Sequence, residues 1–485
     1  MTLDNRSRWI ALYVLCLGDI MIVLDGTIVN VALPSIRDDL GFSQTSLAWI
    51  VNAYLLTFGG FLLLGGRLGD LFGHRRLFLI GIALFTAASL GCGLANSQGL
   101  LIAGRAVQGV GGAIVSAVAL SLLMLLFTEQ ADRAKAMGVF GFVLSGGGVI
   151  GVLAGGILTD LLSWHWIFLV NLPVGVAVFI LSLRLLPAEH GPAATGRVDY
   201  AGAISVTAAL MLAVYAIVNG NEEGWASVQT LGMLAASAAL IAVFLVIESR
   251  IASPLVPLGL FRNRNVSTAN VVGVLMAAGM FSYFFFSALY LQLVLEYSPL
   301  EVGLAYLPGT VIWGASSLFL SQRLVMSYGI KKPLLAGLGL MTLALILLAR
   351  TPVDGNWAID ILPATIALGI GAGIAFNPIL LAAMSGVEPQ EAGLASGVVN
   401  TSFMMGGAVG LAILASLAAS RSDGQLASGD SSFVALNSGY HLAFLVGAVF
   451  IVAAAAVGAA LLRVESPQAH GNQEMIGAPA TAEAD

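Results

Sequence analysis

The chain of 485 residues is 58% hydrophobic and only 9% charged, with a formal net charge of −6 and a mean hydropathy of +0.95. Soluble globular domains carry about 25% charged residues, so the composition excludes one and points to an all-α polytopic membrane protein. Its two cysteines, Cys16 and Cys92, both fall in apolar stretches, which leaves no disulfide framework and no metal cluster to expect.

Crossing about 30 Å of hydrocarbon takes roughly 20 apolar residues. In chain order such stretches lie near 9–33, 47–66, 77–95, 99–127, 135–159 and 165–186, then 199–218 and 228–248, then 267–292, 302–322, 333–350, 359–384, 391–416 and 438–462. They predict 14 transmembrane helices. The first follows Arg6 and Arg8 in the manner of a signal peptide, but its apolar run carries Asp19 and Asp25 and no small-residue cleavage site follows, so it reads as a retained helix. Under this assignment sixteen of the twenty Lys and Arg residues fall on one face, including Arg67, Arg75, Arg76, Arg133, Arg197, Lys331 and Lys332. Arg37, Arg350 and Arg421 fall on the other face, and Arg105 lies inside a span. Basic residues in short loops stay cytoplasmic, which predicts a multi-pass protein with both termini in the cytoplasm. The polar stretch 466–485, with Pro, Gly and Ala, reads as a disordered cytoplasmic tail.

A repeat organises the spans. Arg67-Leu68-Gly69-Asp70-Leu71-Phe72-Gly73-His74-Arg75-Arg76 is followed 256 residues later by Arg323-Leu324-Val325-Met326-Ser327-Tyr328-Gly329-Ile330-Lys331-Lys332, with Arg, Gly and the basic pair at identical spacing. Gly138, Gly147, Gly148 and Gly151 of the fifth span return 259 residues later as Gly397, Gly406, Gly407 and Gly410 of the thirteenth. The repeated unit is therefore six helices. This divides the chain into an N-terminal half (1–186), a linker with inserted helices seven and eight (187–250), a C-terminal half (251–465) and the tail. Parallel six-helix repeats describe a class of secondary transporter whose substrate site lies between the halves.

Away from the span ends, three charges fall within spans. An ionised Asp near the bilayer centre costs about 2.5–3.5 kcal/mol on insertion scales and so marks a binding or relay site. Asp25, in Leu24-Asp25-Gly26-Thr27-Ile28-Val29-Asn30-Val31-Ala32-Leu33-Pro34, fits a proton or cation site. Asp19, six residues earlier, lies on a face about 120° away and either lines an inner cavity or hydrogen-bonds a neighbouring helix. Arg105 needs a counter-ion or a water-filled cavity. It either pins helix packing through backbone carbonyls or modulates a nearby acid, since an opposite charge within about 4–6 Å favours the ionised carboxylate.

On these residues the chain resembles the major facilitator superfamily, and within it the fourteen-span drug:proton antiporters of EmrB/QacA type. The run from Gly66 through Arg67, Gly69, Asp70, Gly73, Arg75 and Arg76 is similar to the superfamily's cytoplasmic gate motif, and Arg105-Ala106-Val107-Gln108-Gly109 to its fourth-span motif. The Leu24–Pro34 string resembles the motif of the fourteen-span branch, which places the proton site on Asp25 with Arg105 as its modulator. Gly138, Gly147, Gly151, Gly155 and Gly156 resemble the antiporter motif, with Val152 where the family usually has Pro. As a gate latch, Asp70 is expected to cap the helix that begins near Glu391-Ala392-Gly393, whose N-terminal dipole attracts a carboxylate.

The resemblance implies a major facilitator fold and a proton-coupled exporter of amphipathic small molecules, drugs or antibiotics, in a cell (inner or plasma) membrane. The alternative is a dedicated exporter of an endogenous metabolite, lipid precursor or self-made antibiotic. The aromatic run Phe281, Tyr283, Phe284, Phe285, Phe286 and Tyr290 offers one wall of a substrate pocket, although so dense a run covers every helix face and leaves only one or two rings for a cavity. No Gly-x-x-x-x-Gly-Lys-Ser/Thr loop occurs, so the proton motive force is the expected driving force and no cofactor is expected. His74, His165, His190, His441 and His470 are scattered, which argues against an enzyme. Expected partners are the substrate, protons, the lipid bilayer and, in a Gram-negative host, a periplasmic adaptor. No catalytic residue, metal or nucleic-acid partner is expected.

Overall fold

The computed structural model describes residues 5–186, 199–251, 254–385, 387 and 391–463. The stretch 187–198, with Arg197 and most of the linker, and the tail at 466–485 lie outside the described residues.

The N-terminal helices are α1 (Asn5–Leu40), α2 (Trp49–Phe72), α3 (His74–Gly93), α4 (Gln98–Leu126), α5 (Gln130–Leu161), the short α6 (Trp166–Leu169) and α7 (Asn171–Leu185). Then come α8 (Tyr200–Glu223) and α9 (Val228–Arg250). The chain continues as α10 (Arg264–Leu293), α11 (Pro299–Ala315), α12 (Gln322–Tyr328), α13 (Lys331–Leu348), α14 (Leu362–Met384), α15 (Ala392–Ala427) and α16 (Ser432–Leu461). A π-helical turn at Ser316–Ser321 carries α11 into α12, and another at Trp357–Ile361 precedes α14. Thirteen helical segments of the described residues are long and apolar enough to cross a membrane, and α5, at the fifth predicted span, carries a shorter apolar stretch, Gly147–Leu161, which is consistent with the expected count. In hydrocarbon every backbone N–H and C=O must be satisfied within the protein, which is why a chain this apolar folds as helices.

Side chains from the loops close the helix ends. Ser97, Ser227 and Ser431 accept hydrogen bonds from the first turns of α4, α9 and α16, and Ser298 with Glu301 forms a capping box on α11. The two repeated loops turn at Gly73 (φ 93°) and Gly329 (φ 74°), which explains why glycine recurs there, since side-chain-bearing residues rarely adopt positive φ.

Packing repeats as the sequence does. In the first half α5 lies along α1; in the second α15 lies along α10. Gly406, Gly407 and Gly410 of α15 meet Val274, Phe281 and Ala278 of α10. The halves touch where α2 meets α15, α5 meets α11 and α1 meets α10. The inserted α8 covers the α2–α15 seam, with Thr207 against Gly60, Tyr215 6.4 Å from Trp49 between ring centroids, and Asn221 Nδ2 donating to Ser416 O at 2.6 Å. Outside it, α9 exposes Leu231, Ile241, Val243, Leu245 and Val246, a face suited to lipid.

Candidate functional site

The local chemistry of α1 sets up the site. Thr27 Oγ1 donates to Val23 O and Leu24 O, and Asn30 Nδ2 to Gly26 O and Thr27 O, so these polar groups are satisfied by their own helix. On α5, Gly147, Gly151 and Gly155 recur every fourth residue and face Val23, then Leu24 and Thr27, then Ile28. A Cβ on Gly155 would lie 2.8 Å from Ile28 O, so only glycine permits this approach. The Asp25 side chain is engaged from α4 and α7.

There it is completely buried and satisfied. Oδ2 forms an ion pair with Arg105 Nη1. Oδ1 accepts from Gln108 Nε2 at 3.0 Å and from Asn171 Nδ2 at 3.2 Å. Ser89 Oγ on α3 backs both amides, at 2.8 Å from Gln108 Nε2 and 3.4 Å from Asn171 Nδ2. Arg105 also donates from Nη1 to Gln108 Oε1 at 2.9 Å and from Nε to the Ile50 carbonyl at 3.0 Å. Its guanidinium carbon lies 4.4 Å from the Tyr54 ring centroid and 5.7 Å from that of Phe168. Arg105 is thus the counter-ion of Asp25 and at the same time pins α4 to a backbone carbonyl of α2.

The sequence brings Asp25, Arg105 and Gln108 to attention; it does not single out Asn171, Ser89, Tyr54 or Phe168. Asn171 leaves one faint signal, an amide where an apolar span begins. Gly109 serves packing, since a Cβ there would lie 2.5 Å from Tyr54 O.

Asp19 stands apart from this cluster. Ser116 Oγ of α4 donates to its Oδ1 at 3.0 Å, while Oδ2 has no hydrogen-bond partner among the described residues. Ser116 in turn lines a cavity of about 750 Å³ between the halves. Asp19 thus hydrogen-bonds a neighbouring helix, one residue behind the cavity wall.

That cavity lies on the basic face. Gly66, Arg67 and Asp70 border it from α2, Ser121 from α4, and Gly393, Ser396, Gly397 and Asn400 from α15. The expected latch between Asp70 and the start of α15 is not made: Asp70 Oδ1 lies 3.3 Å from His74 Nε2, and no side chain caps α15 among the described residues. The facing helix is the expected one, but the cavity separates the partners. Arg75 Nη2 donates to Leu183 O at 2.5 Å, Arg76 is exposed, and a Cβ on Gly69 would meet Val118 at 2.7 Å.

On the opposite face the halves are in contact. Gln292 Nε2 donates to Val31 O at 2.9 Å, and a Cβ on Gly156 would lie 2.7 Å from Pro299 O. The antiporter-motif glycines are therefore divided in their work: Gly147, Gly151 and Gly155 seat α1, Gly156 meets the other half, and Gly138 faces open space. Val152 is buried in a helix that passes through it unbroken. The aromatic run packs instead of lining this cavity: Tyr283 OH is 3.3 Å from Thr365 Oγ1, Tyr290 OH donates to Pro352 O at 2.6 Å, and Phe286 lies against Tyr440 and Phe444. Tyr283 and Phe284 border a separate void of about 10 Å³.

Two pseudo-equivalent halves, closed on one face and parted on the other around a cavity, match what comparison with known proteins finds. The profile of the Major Facilitator Superfamily matches residues 15–411. The chain belongs to the Major Facilitator Superfamily. It is 37% identical to the puromycin resistance protein pur8 of Streptomyces alboniger, over 93% of this chain and 90% of that protein. It is equally 37% identical to the cephamycin export protein CmcT of Amycolatopsis lactamdurans, over 94% and 92%. The multidrug resistance protein Stp of Mycobacterium tuberculosis is 34% identical, over 86% of this chain and 76% of that one. In structure, a variant of the nucleoside transporter NupG superposes with a TM-score of 0.66 at 12% identity, covering 93% of this chain and all 100% of that one. A bacterial homologue of the human lysosomal transporter Spinster, in an inward-facing and unoccupied conformation, gives 0.65 at 16% identity, over 94% and 97%. Superfamily membership makes this multi-pass membrane protein a transporter and not an enzyme.

Proposed function

We propose that the chain is a proton-coupled exporter of amphipathic small molecules, drugs or antibiotics, with both termini in the cytoplasm. The observation that carries the reading is the buried Asp25–Arg105 pair on the first half, set apart from the cavity between the halves. An opposite charge and donated hydrogen bonds favour the ionised form of a carboxylate, and their withdrawal favours the protonated form, so the Asp25–Arg105 distance is the lever. If rocking of the halves changes that distance, proton affinity alternates with access, and proton entry drives substrate out. Each charge crossing 100 mV supplies about 2.3 kcal/mol, so the proton motive force suffices without a cofactor. The relatives named for puromycin resistance, cephamycin export and multidrug resistance support efflux. A second reading, a dedicated exporter of a self-made antibiotic, is favoured by the cephamycin exporter and by a 34% identical probable actinorhodin transporter of Streptomyces coelicolor. A periplasmic adaptor enters only in a Gram-negative host.

Dye and antibiotic efflux from proteoliposomes under an imposed pH gradient tests the proposal. Gradient-driven efflux should collapse in Asp25→Asn and Arg105→Ala, while Asp25→Asn retains substrate exchange without a gradient. Gradient-driven efflux persisting in Asp25→Asn would overturn the proton site. Export of one antibiotic alone, with no dye moved, would select the second reading.

A further inference from the structure

The inserted helix pair carries an acidic pair that the transport reading leaves unused. Asp199 caps α8, its Oδ1 accepting from Gly202 N at 2.7 Å. Glu248, in the last turn of α9, accepts from Val256 N at 3.2 Å through Oε2. Both residues are buried, at 2% and 3% exposure, although each stands at the end of a span where charges are ordinarily solvated. Asp199 Oδ2 and Glu248 Oε1 are left without a hydrogen-bond partner among the described residues. They converge, for a Cβ on Gly202 would strike both oxygens. No ion pair to either acid occurs among the described residues. Around them, α2 contributes Arg67 and Asp70, which border the cavity beyond Leu255, while Arg250 of α9 and Glu391 ahead of α15 are exposed.

Two facing carboxylates, buried and with no cation paired to either among the described residues, repel when both are ionised. A single proton between the orphan oxygens resolves the repulsion, since a protonated carboxyl donates where an ionised one only accepts. Glu248 of this pair grips the connector from α9 to α10 through the Val256 amide. Pro254 and Leu255 of that connector form part of the cavity wall beside Arg67 and Asp70, and Leu255 packs with Leu64 of α2 and Ala203 of α8.

We propose that Asp199 and Glu248 bind one proton between Oδ2 and Oε1, and that this proton keeps the connector 254–257 pinned to the inserted pair at the mouth of the cavity. Loss of the proton leaves two facing carboxylates, whose repulsion swings Glu248 away and frees the Val256 amide. The inserted pair is thereby a proton-responsive clasp on the wall of the transport cavity, separate from Asp25.

The connector supplies its own probe. Within Pro254-Leu255-Val256-Pro257 only Leu255 and Val256 carry an amide hydrogen, so a peptide covering it reports the clasp by hydrogen–deuterium exchange of the full-length protein in nanodiscs. Corrected for the intrinsic pH dependence of exchange, these amides should lose about tenfold in protection as rising pH removes the proton. Glu248→Gln, which donates to Asp199 through its amide and still accepts from Val256 through its carbonyl, should keep protection flat across pH. Infrared spectra should show a protonated-carboxyl stretch in the native protein that both Glu248→Gln and Asp199→Asn remove. Protection in the native protein that does not change with pH would overturn the proposal, as would a Glu248→Gln profile that titrates like the native one or a carboxyl stretch untouched by both variants. None of these readouts depends on transport, so the clasp can fail while the export reading stands, and the reverse.

Discussion

At the scale of single residues, the proposed proton coupling rests on how many donors hold Asp25. Arg105 supplies charge, and Gln108 and Asn171 supply two further hydrogen bonds to the other oxygen. A hydrogen bond to a charged group contributes about 1.5–3 kcal/mol. Asn171→Ala should therefore leave the protein folded but slow gradient-driven efflux about tenfold, because the Asp25 carboxylate loses one of its two amide donors. Efflux rates and melting curves of the variant check it; native efflux in a folded variant would mean that Asn171 is dispensable to the site. Asp25, Arg105 and Gln108 are legible in the sequence because charges and a long amide inside apolar spans stand out against their neighbours. Ser89 and Asn171 are not, because small polar residues are common in spans and only the meeting of α3, α4 and α7 brings them to one carboxylate. Asp199 and Glu248 escape notice for the opposite reason: they sit where the ends of spans are expected to be charged, and it is tertiary burial that sets them apart.

At the scale of elements, the glycine spacing on α5 makes the pairing of two helices readable, although not which helix the stripe would meet. Gly151 presses on Thr27 and the Leu24 backbone, within two residues of Asp25, whereas Gly138 on the same helix faces open space. Gly151→Val should displace α1, at an overpacking cost of about 1–3 kcal/mol, lower the thermal midpoint and abolish gradient-driven efflux. Gly138→Ala should leave both near the native level. Melting curves and efflux measured on the two variants decide this: equal tolerance at both positions would mean that the close approach of α1 and α5 is dispensable. The repeat, two matched loops and two matched glycine series in the sequence, corresponds to α5 on α1 and α15 on α10. The predicted helices agree with those observed to within a few residues at most ends, because apolar length in a membrane leaves the backbone little alternative to a helix. What length and hydropathy leave unspecified is the seat of the inserted pair, which depends on small contacts such as Thr207 with Gly60 and Asn221 with Ser416.

At the scale of the whole molecule, the halves meet on one face and part on the other, and the contact on the closed face is tight. Gly156 meets the Pro299 carbonyl and Leu300, and a Cβ on Gly303 would lie 3.0 Å from Val152 O. In this arrangement Asp70 stays on His74, across the cavity from the start of α15; under the proposed alternation of access, its capping of α15 would belong to a state with the basic face closed. A side chain on Gly156 acts on that balance as a wedge, penalising only the state in which α5 and the start of α11 touch. An overpacking cost of about 1–3 kcal/mol on one of two states shifts their ratio by about 5- to 150-fold. Gly156→Leu should therefore lower maleimide labelling of Ser396→Cys, a cavity-wall position reachable from the basic face, and slow net efflux. The native Cys16 and Cys92 are buried and contribute little background. Labelling at position 396 that does not change in Gly156→Leu, in a variant that still folds, would mean that the contact of α5 with α11 does not govern access to the cavity. A fall in labelling would identify that contact as the closed gate of this conformation.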